Sequence, residues 1–288
     1  MPKAKATLSN SIPAIQTIGL SKGYNSTSDF ALDSLNMTVV QGEIFGFLGP
    51  NGSGKTTTIR LLIDLIRPTS GRAQILGLDS KKSSLEVRQK VGYLPGELRL
   101  YQNFNAKKLI QLFTALRPGQ ISDEYVTYLC KRLEVDSDTS LGRLSHGNRQ
   151  KIGLVLALMS QPDLLILDEP TTGLDPIVQH TVLDLLTEVR SEGKTVFFSS
   201  HVLPDVEQIC DRIGIIRKGR LVAVEQVQAV RERRVQRVRI NFDKPVPPND
   251  FESLPGVRLL DASERSLYLE VIGEADSVIK TASHHHVI

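Results

Sequence analysis

From about residue 14 to about 225 the chain alternates short, nearly unbroken apolar runs with longer stretches of helical periodicity. "GEIFGFLG" (42–49) predicts a strand that enters a Gly-rich turn, and "TTTIRLLIDLI" (56–66) predicts the helix behind it, stopped by Pro68. "DLLILDEP" (163–170) and "TVFFSSH" (195–201) lack polar alternation, the mark of strands buried on both faces of a parallel sheet. Each runs into a helical stretch, "PIVQHTVLDLLTEVR" (176–190) and "LPDVEQICD" (203–211). The expected class is α/β, with any ligand outside the carboxyl ends of the strands. Gly49, Asp168 and His201 all fall at those ends.

Residues 98–160 carry no strand signal of similar strength and predict a helical subdomain. Near residue 226 the pattern changes to the polar, arginine-rich "QVQAVRERRVQRVRINF" and then the Pro-rich break "DKPVPPND". "GVRLLDA" and "SLYLEVIG" predict a hairpin, followed by a short helix at 274–283, so 226–288 reads as a separate small α+β appendage. Arg231, Arg233, Arg234, Arg237 and Arg239 read as a solvated strand face in preference to a headgroup-binding patch.

Composition narrows the class without naming a ligand. With 288 residues, 40% hydrophobic and 23% charged, the chain has enough apolar content for a good-sized core. A net charge of +3 gives no case for nucleic acid. The longest apolar run, "IGLVLALM", is far short of the roughly 20 residues of a membrane span. The N-terminal lysines are followed by no hydrophobic region, so no secretory signal is expected. Cys130 and Cys210, far apart and without metal-ligand spacing, are expected to be reduced thiols in a cytosolic protein.

The chemistry starts at "GPNGSGKT", which matches G-x-x-x-x-G-K-[ST] at every position. The glycines let backbone N–H groups close on phosphate oxygens, Lys55 reaches the β- and γ-phosphates, and the Thr56 hydroxyl ligates Mg²⁺. The nucleotide-binding candidates here are Gly49, Pro50, Asn51, Gly52, Ser53, Gly54, Lys55, Thr56 and Thr57. Asp168 ends a buried strand where a carboxylate can hold Mg²⁺ through its water shell, and Glu169 is placed to orient or deprotonate an attacking water. His201 is a candidate donor to the transferred phosphoryl group, and Asp175 an N-cap ahead of Pro176. "LSHGNRQK" (144–151) adds a second anion-facing helix start, with Ser145 as its cap.

Taken together these residues resemble the nucleotide-binding subunits of ATP-binding cassette (ABC) transporters. The motifs occur in family order across roughly 14–225: the phosphate loop 49–56, the signature "LSHGN" at 144–148, "ILDEP" at 166–170, "GLD" at 173–175, and His201. The resemblance implies a P-loop ABC ATPase core with a helical subdomain. It also implies ATP and Mg²⁺ as cofactors, and a head-to-tail pairing with a second copy of the chain or a similar cassette. Ser145 and Gly147 of one cassette would then face the γ-phosphate held by the other, which accounts for two anion-facing helix starts in one chain. Tyr24 would stack on adenine.

The resemblance further implies a transmembrane permease as partner, no nucleic acid, and a peripheral position on the cytoplasmic face of the cell membrane. "GYLPGELRLY" and "SHGNRQK" are similar to exporters of antibiotics and other bulky or apolar compounds, whose appendages run further than residue 288. The chain departs from the family at two places. His146 replaces a glycine and Asn148 a glutamine in the signature, and Gly96 stands where relatives carry a Mg²⁺-contacting glutamine, leaving Glu97 as a substitute metal ligand. A soluble ABC-type ATPase acting on ribosomes or DNA is the rival, disfavoured because neither a second cassette nor a long coiled-coil insertion is present. A GTPase switch would need an N-K-x-D motif, which is absent.

Overall fold

A computed structural model of the chain describes residues 12–24, 30–117, 119, 121–273 and 275–287, so the N-terminal lysine-bearing segment lies mostly outside the described residues. The first part forms β1 (Ile15–Gly23), β2 (Phe30–Val39), β3 (Ile44–Leu48), α1 (Lys55–Leu62), β4 (Ser70–Ile75), β5 (Leu78–Asp79), α2 (Ser84–Lys90) and β6 (Val91–Leu94). Three helices follow, α3 (Ala106–Leu116), α4 (Asp123–Arg132) and α5 (His146–Leu158). The chain then returns to β7 (Leu164–Asp168), α6 (Pro176–Ser191), β8 (Thr195–Ser200), α7 (Leu203–Ile209), β9 (Arg212–Arg217) and β10 (Arg220–Gln226). Last come α8 (Val227–Glu232), β11 (Val235–Asn241), α9 (Asn249–Glu252), β12 (Val257–Ser263), β13 (Ser266–Ile272) and α10 (Asp276–Ser283). Two compact units result, one up to Val224 and one from Glu225.

In the first unit the central sheet has the order β10-β9-β3-β8-β7-β6, and the pairs β9/β3, β3/β8, β8/β7 and β7/β6 are parallel. Every residue of β7 and β8 is buried, as their unbroken apolar runs require. Phe45 stacks on Phe197 at 5.9 Å and Phe47 lies 5.4 Å from the same ring, tying β3 to β8. The register sets Leu48 beside Ser200 and Asp168 beside Ser199, so the phosphate loop, the acidic turn and the His201 segment leave the sheet at one end.

A second sheet, β2-β1-β4-β5, is antiparallel and was not foreseen as such. α1 also stops earlier than expected, at Leu62. Asp64 takes the left-handed conformation (φ 56°), Leu65 N–H reaches Arg60 C=O at 2.8 Å and Asp64 N–H reaches Leu61 C=O at 3.2 Å. These two bonds form a Schellman end, with Asp64 in the position glycine usually takes. The Asp64 carboxylate is then held by Arg67 at 2.9 Å.

Between β6 and β7 lie α3, α4 and α5, with Ala106, Leu109, Leu141, Leu144 and Ile152 as a local core. The second unit is a three-stranded antiparallel sheet, β11-β13-β12, with its helices packed over Phe242, Phe251, Leu267, Leu269, Val271 and Val278. Beside the anticipated hairpin it contains β11, from the arginine-rich stretch. Arg237 pairs with Glu270 at 3.7 Å and Arg239 lies 5.6 Å over the Tyr268 ring. His285 packs between Phe242 and Phe251 and sits 3.4 Å from Asp250. Cys130 and Cys210 are free, and burial holds both thiols above their ordinary range. Among the described residues no helix is long and apolar enough to cross a membrane.

Candidate active site

The loop between β3 and α1 turns on Gly52 (φ 76°) and Gly54 (φ 109°), and a β-carbon at 54 would meet the Ala31 carbonyl at 2.6 Å. Gly54 is the N-cap of α1, with no side chain to satisfy the helix's first N–H groups and no acidic residue in the first turn. Those donors and the helix dipole therefore point into a cleft of about 530 Å³ lined by Pro50 through Thr57, Arg60, Gly96, Glu97, Asp168 and Glu169. The buried Ser53 hydroxyl has no partner among the described residues. A polyanion suits such a cradle, and this donor set fits a nucleotide's phosphates.

At its floor, Lys55 is almost wholly buried. Its ammonium donates to Gly49 C=O at 2.5 Å and Pro50 C=O at 3.3 Å and pairs with Glu169 Oε1 at 3.2 Å. Thr56 Oγ1 donates to Asp168 Oδ2 at 2.7 Å, and Ser199 Oγ donates to Asp168 Oδ1 at 2.5 Å. A threonine hydroxyl facing a buried carboxylate is an oxygen pair that a hard divalent cation accepts, so the residues fit Mg²⁺.

Glu169 follows Asp168 in the left-handed region (φ 53°), which turns its side chain back toward Lys55. Its other oxygen, Oε2, lies 2.8 Å from His201 Nδ1 and accepts a weak bond from Thr172 Oγ1 at 3.4 Å. The Glu169 N–H donates to Ser199 C=O and Oγ, both at 3.2 Å. Lys55, Thr56, Asp168, Glu169 and His201 thus form one connected cluster. Tyr93, next to it on β6, has its phenol pushed up to about 12 by burial and by the Asp168 charge, and stays neutral.

The other candidates lie farther out. Tyr24 is exposed, its hydroxyl 3.5 Å from Thr57 Oγ1 and its ring under the Lys22 ammonium at 5.3 Å. Glu97 reaches the rim of the cleft, but its carboxylate is engaged by Arg99 at 3.0 Å. A β-carbon at Gly96 would stand 3.0 Å from Asp168 Oδ2, so residue 96 is the one in direct reach of that carboxylate. Ser145 caps α5, its hydroxyl accepting from Asn148 N–H at 3.2 Å, and Ser145 and Gly147 do not line the phosphate cleft. Asp175 caps α6 by accepting from Val178 N–H at 3.0 Å. Two contributors escaped the sequence reading: Ser199, a hydroxyl interrupting an apolar strand, and Gln150, a buried amide that reaches the Glu169 carbonyl.

Known proteins resemble this chain in sequence and in fold. A match to the family described as ABC transporter spans residues 32–172. The bacitracin transport ATP-binding protein BcrA of Bacillus licheniformis is 38% identical over 72% of this chain and 68% of its own length. A fluoroquinolones export ATP-binding protein of Mycobacterium tuberculosis is 31% identical over 79% of this chain and 76% of its own. Among solved structures, the ATP-binding subunit of an ABC transporter superposes with a TM-score of 0.69 at 27% identity, covering 76% of this chain and 92% of that one. A dimeric ATP-binding cassette in a post-hydrolysis state with ADP and phosphate shares the fold, with a TM-score of 0.67 at 23% identity over 74% of this chain and 98% of that one.

Proposed function

The chain belongs to the ATP-binding subunits of ABC transporters, ATPases by family, and from that premise we propose that it hydrolyses MgATP to drive export through a separate membrane permease. The observation that carries this reading is the single cluster of Lys55, Thr56, Asp168, Glu169 and His201 at the floor of the phosphate cleft. The loop 49–57 binds the phosphates, with Lys55 leaving its internal acceptors for the β- and γ-oxygens. Thr56 and Asp168 hold Mg²⁺, which when bound neutralises charge developing on the phosphates. Glu169 acts on the attacking water, and His201 leaves its bond to Glu169 to donate to the γ-phosphoryl oxygens. Tyr24 stacks on the adenine ring. Glu97 serves the metal only on leaving Arg99.

Two cassettes enclose two ATP molecules, with Ser145 and Gly147 of each completing the site of the other. The permease docks where β6, α3 and α5 bound an apolar cavity of about 490 Å³, lined by Tyr93, Leu98, Phe113, Leu116 and Leu156. Leu116 is 69% exposed and Tyr101, nearby in the same segment, 65%, an apolar surface suited to a partner chain. Its substrates are bulky or apolar compounds, and the subunit sits peripherally on the cytoplasmic face of the cell membrane. The test is to purify the tagged chain from detergent-solubilised membranes of its native host. A polytopic protein in stoichiometric yield is expected; recovery only from the soluble fraction, with ribosomes or nucleic acid, would overturn the transport reading and leave the ATPase chemistry standing.

A further inference from the structure

The start of α5 is fastened to the turn that carries Glu169 by contacts with no part in the roles above. Gln150, 2% exposed, directs its amide nitrogen at two carbonyls, Glu169 O at 3.2 Å and Pro170 O at 3.3 Å. Both neighbours are acceptors, so only the NH₂ end can face them. Among the described residues the buried Gln150 carbonyl oxygen has no hydrogen-bond partner, so the amide is held by its donor end. The turn it grips contains a residue in a left-handed conformation that L side chains adopt at a cost, and such a turn persists only where its surroundings hold it.

A second attachment lies one helical turn earlier. The His146 ring covers Gly173 so closely that a β-carbon at 173 would stand 2.5 Å from its Cδ2, and a β-carbon at 147 would stand 2.6 Å from the Gly173 carbonyl oxygen. Next to Gly173, Thr172 donates its hydroxyl to Glu169 Oε2 and its N–H to Glu169 C=O. The anion-facing end of α5 therefore grips the Glu169 turn from both sides.

We propose that Gln150 is a positioning residue for ATP hydrolysis, with His146 as its second point of attachment: it fixes the Glu169–Pro170 turn to the start of α5, so that the state of that helix end aims the Glu169 carboxylate. This rests on the reading above, in which Glu169 acts on the water and Ser145 and Gly147 face a second subunit's γ-phosphate. Nucleotide held by the partner then sets the geometry of this chain's own site, and turnover at the two sites is linked through one buried amide.

Gln150→Leu keeps most of the volume and removes both donated bonds. Steady-state ATPase assays, ATP-binding titrations and thermal melts of the full chain are expected to give a kcat about tenfold lower, a shift matching the loss of one to two such bonds. The Hill coefficient for ATP should fall toward that of independent sites, with ATP Kd close to wild type and Tm lower by only a few degrees. Unchanged kcat and Hill coefficient in the folded variant would overturn the inference.

Should that variant not fold, Gln150→Glu serves instead. A buried, unpaired carboxyl holds its proton well above the usual range, and only the protonated form can donate to a carbonyl. The ratio of its kcat to wild type should rise as pH is lowered, and a flat ratio would overturn the inference. Wild type that binds but does not hydrolyse ATP strikes the Glu169 reading itself. Normal wild-type turnover with an indifferent Gln150 variant strikes this inference alone.

Discussion

The two helix starts that face anions, α1 and α5, are built differently. α1 begins at Gly54 with no side-chain cap, and its exposed N–H groups open into a cleft that already holds Lys55, Thr56, Asp168 and Glu169. α5 begins at Ser145, whose hydroxyl satisfies Asn148 N–H, and the start of that helix is exposed. Neither helix carries an acidic residue in its first turn, so in both the positive end of the dipole is left for a ligand. On the reading proposed here each is part of one composite site, with the larger part at α1. A chain with both has its chemistry at α1 and, on the reading proposed here, its dependence on a second copy at α5.

The largest expected effect separates the chemistry from the binding. Glu169→Gln should lower turnover by ~10²–10⁴-fold, the range for loss of a general base, while ATP still binds, as read by equilibrium titration beside steady-state assays. Turnover like wild type would remove Glu169 from the reaction. Complementation then tests which helix start needs a partner. Lys55→Ala damages only the α1 site and Ser145→Arg only the α5 end, and each alone should be nearly inactive. Mixed in equal amounts they should recover turnover up to about a quarter of wild type, because in a two-fold pair one composite site then carries both lesions and the other none, and any shortfall from a quarter reads the linkage between the sites. No recovery, with mixed dimers detected, would mean either that both helix starts serve the same chain's nucleotide or that linkage lets one damaged site silence the other.

The two starts also differed in how plainly the sequence announced them. The phosphate loop was legible because its backbone needs glycine at fixed offsets, and because buried parallel strands write themselves as unbroken apolar runs. The antiparallel sheet was obscured by irregular pairing: β1 shifts register between Thr17 and Leu20 and again between Leu20 and Lys22, breaking the alternation that marks such a strand. Asp64 hid the end of α1 by taking a conformation usually assigned to glycine. Gln150 stands in the polar opening of a helix, yet it is buried, since its partners come from a turn distant in sequence. A polar residue inside an otherwise apolar strand, Ser199 here, is a signal to follow, whereas Gln150 sits among polar neighbours and gives none.

A smaller effect addresses what Ser145 does. As a cap its loss should cost about 1 kcal/mol of stability, seen in denaturant midpoints. As a ligand for the partner's phosphate its loss should lower turnover by about tenfold or more, a charge-assisted bond contributing ~1.5–3 kcal/mol. Ser145→Ala shows both losses together and cannot apportion them.

Ser145→Gly separates them, and it is the smallest change that still sharpens the comparison with α1, whose own cap is glycine. At an N-cap, glycine is only a few tenths of a kcal/mol worse than serine, because it leaves the helix's first N–H groups open to water. Stability should therefore stay close to wild type while turnover falls as far as in Ser145→Ala. If turnover instead followed stability, recovering in Ser145→Gly, the hydroxyl would be a cap and nothing more. The anion-facing role of α5 would then rest on Gly147 and the backbone alone, which would make its start more like that of α1.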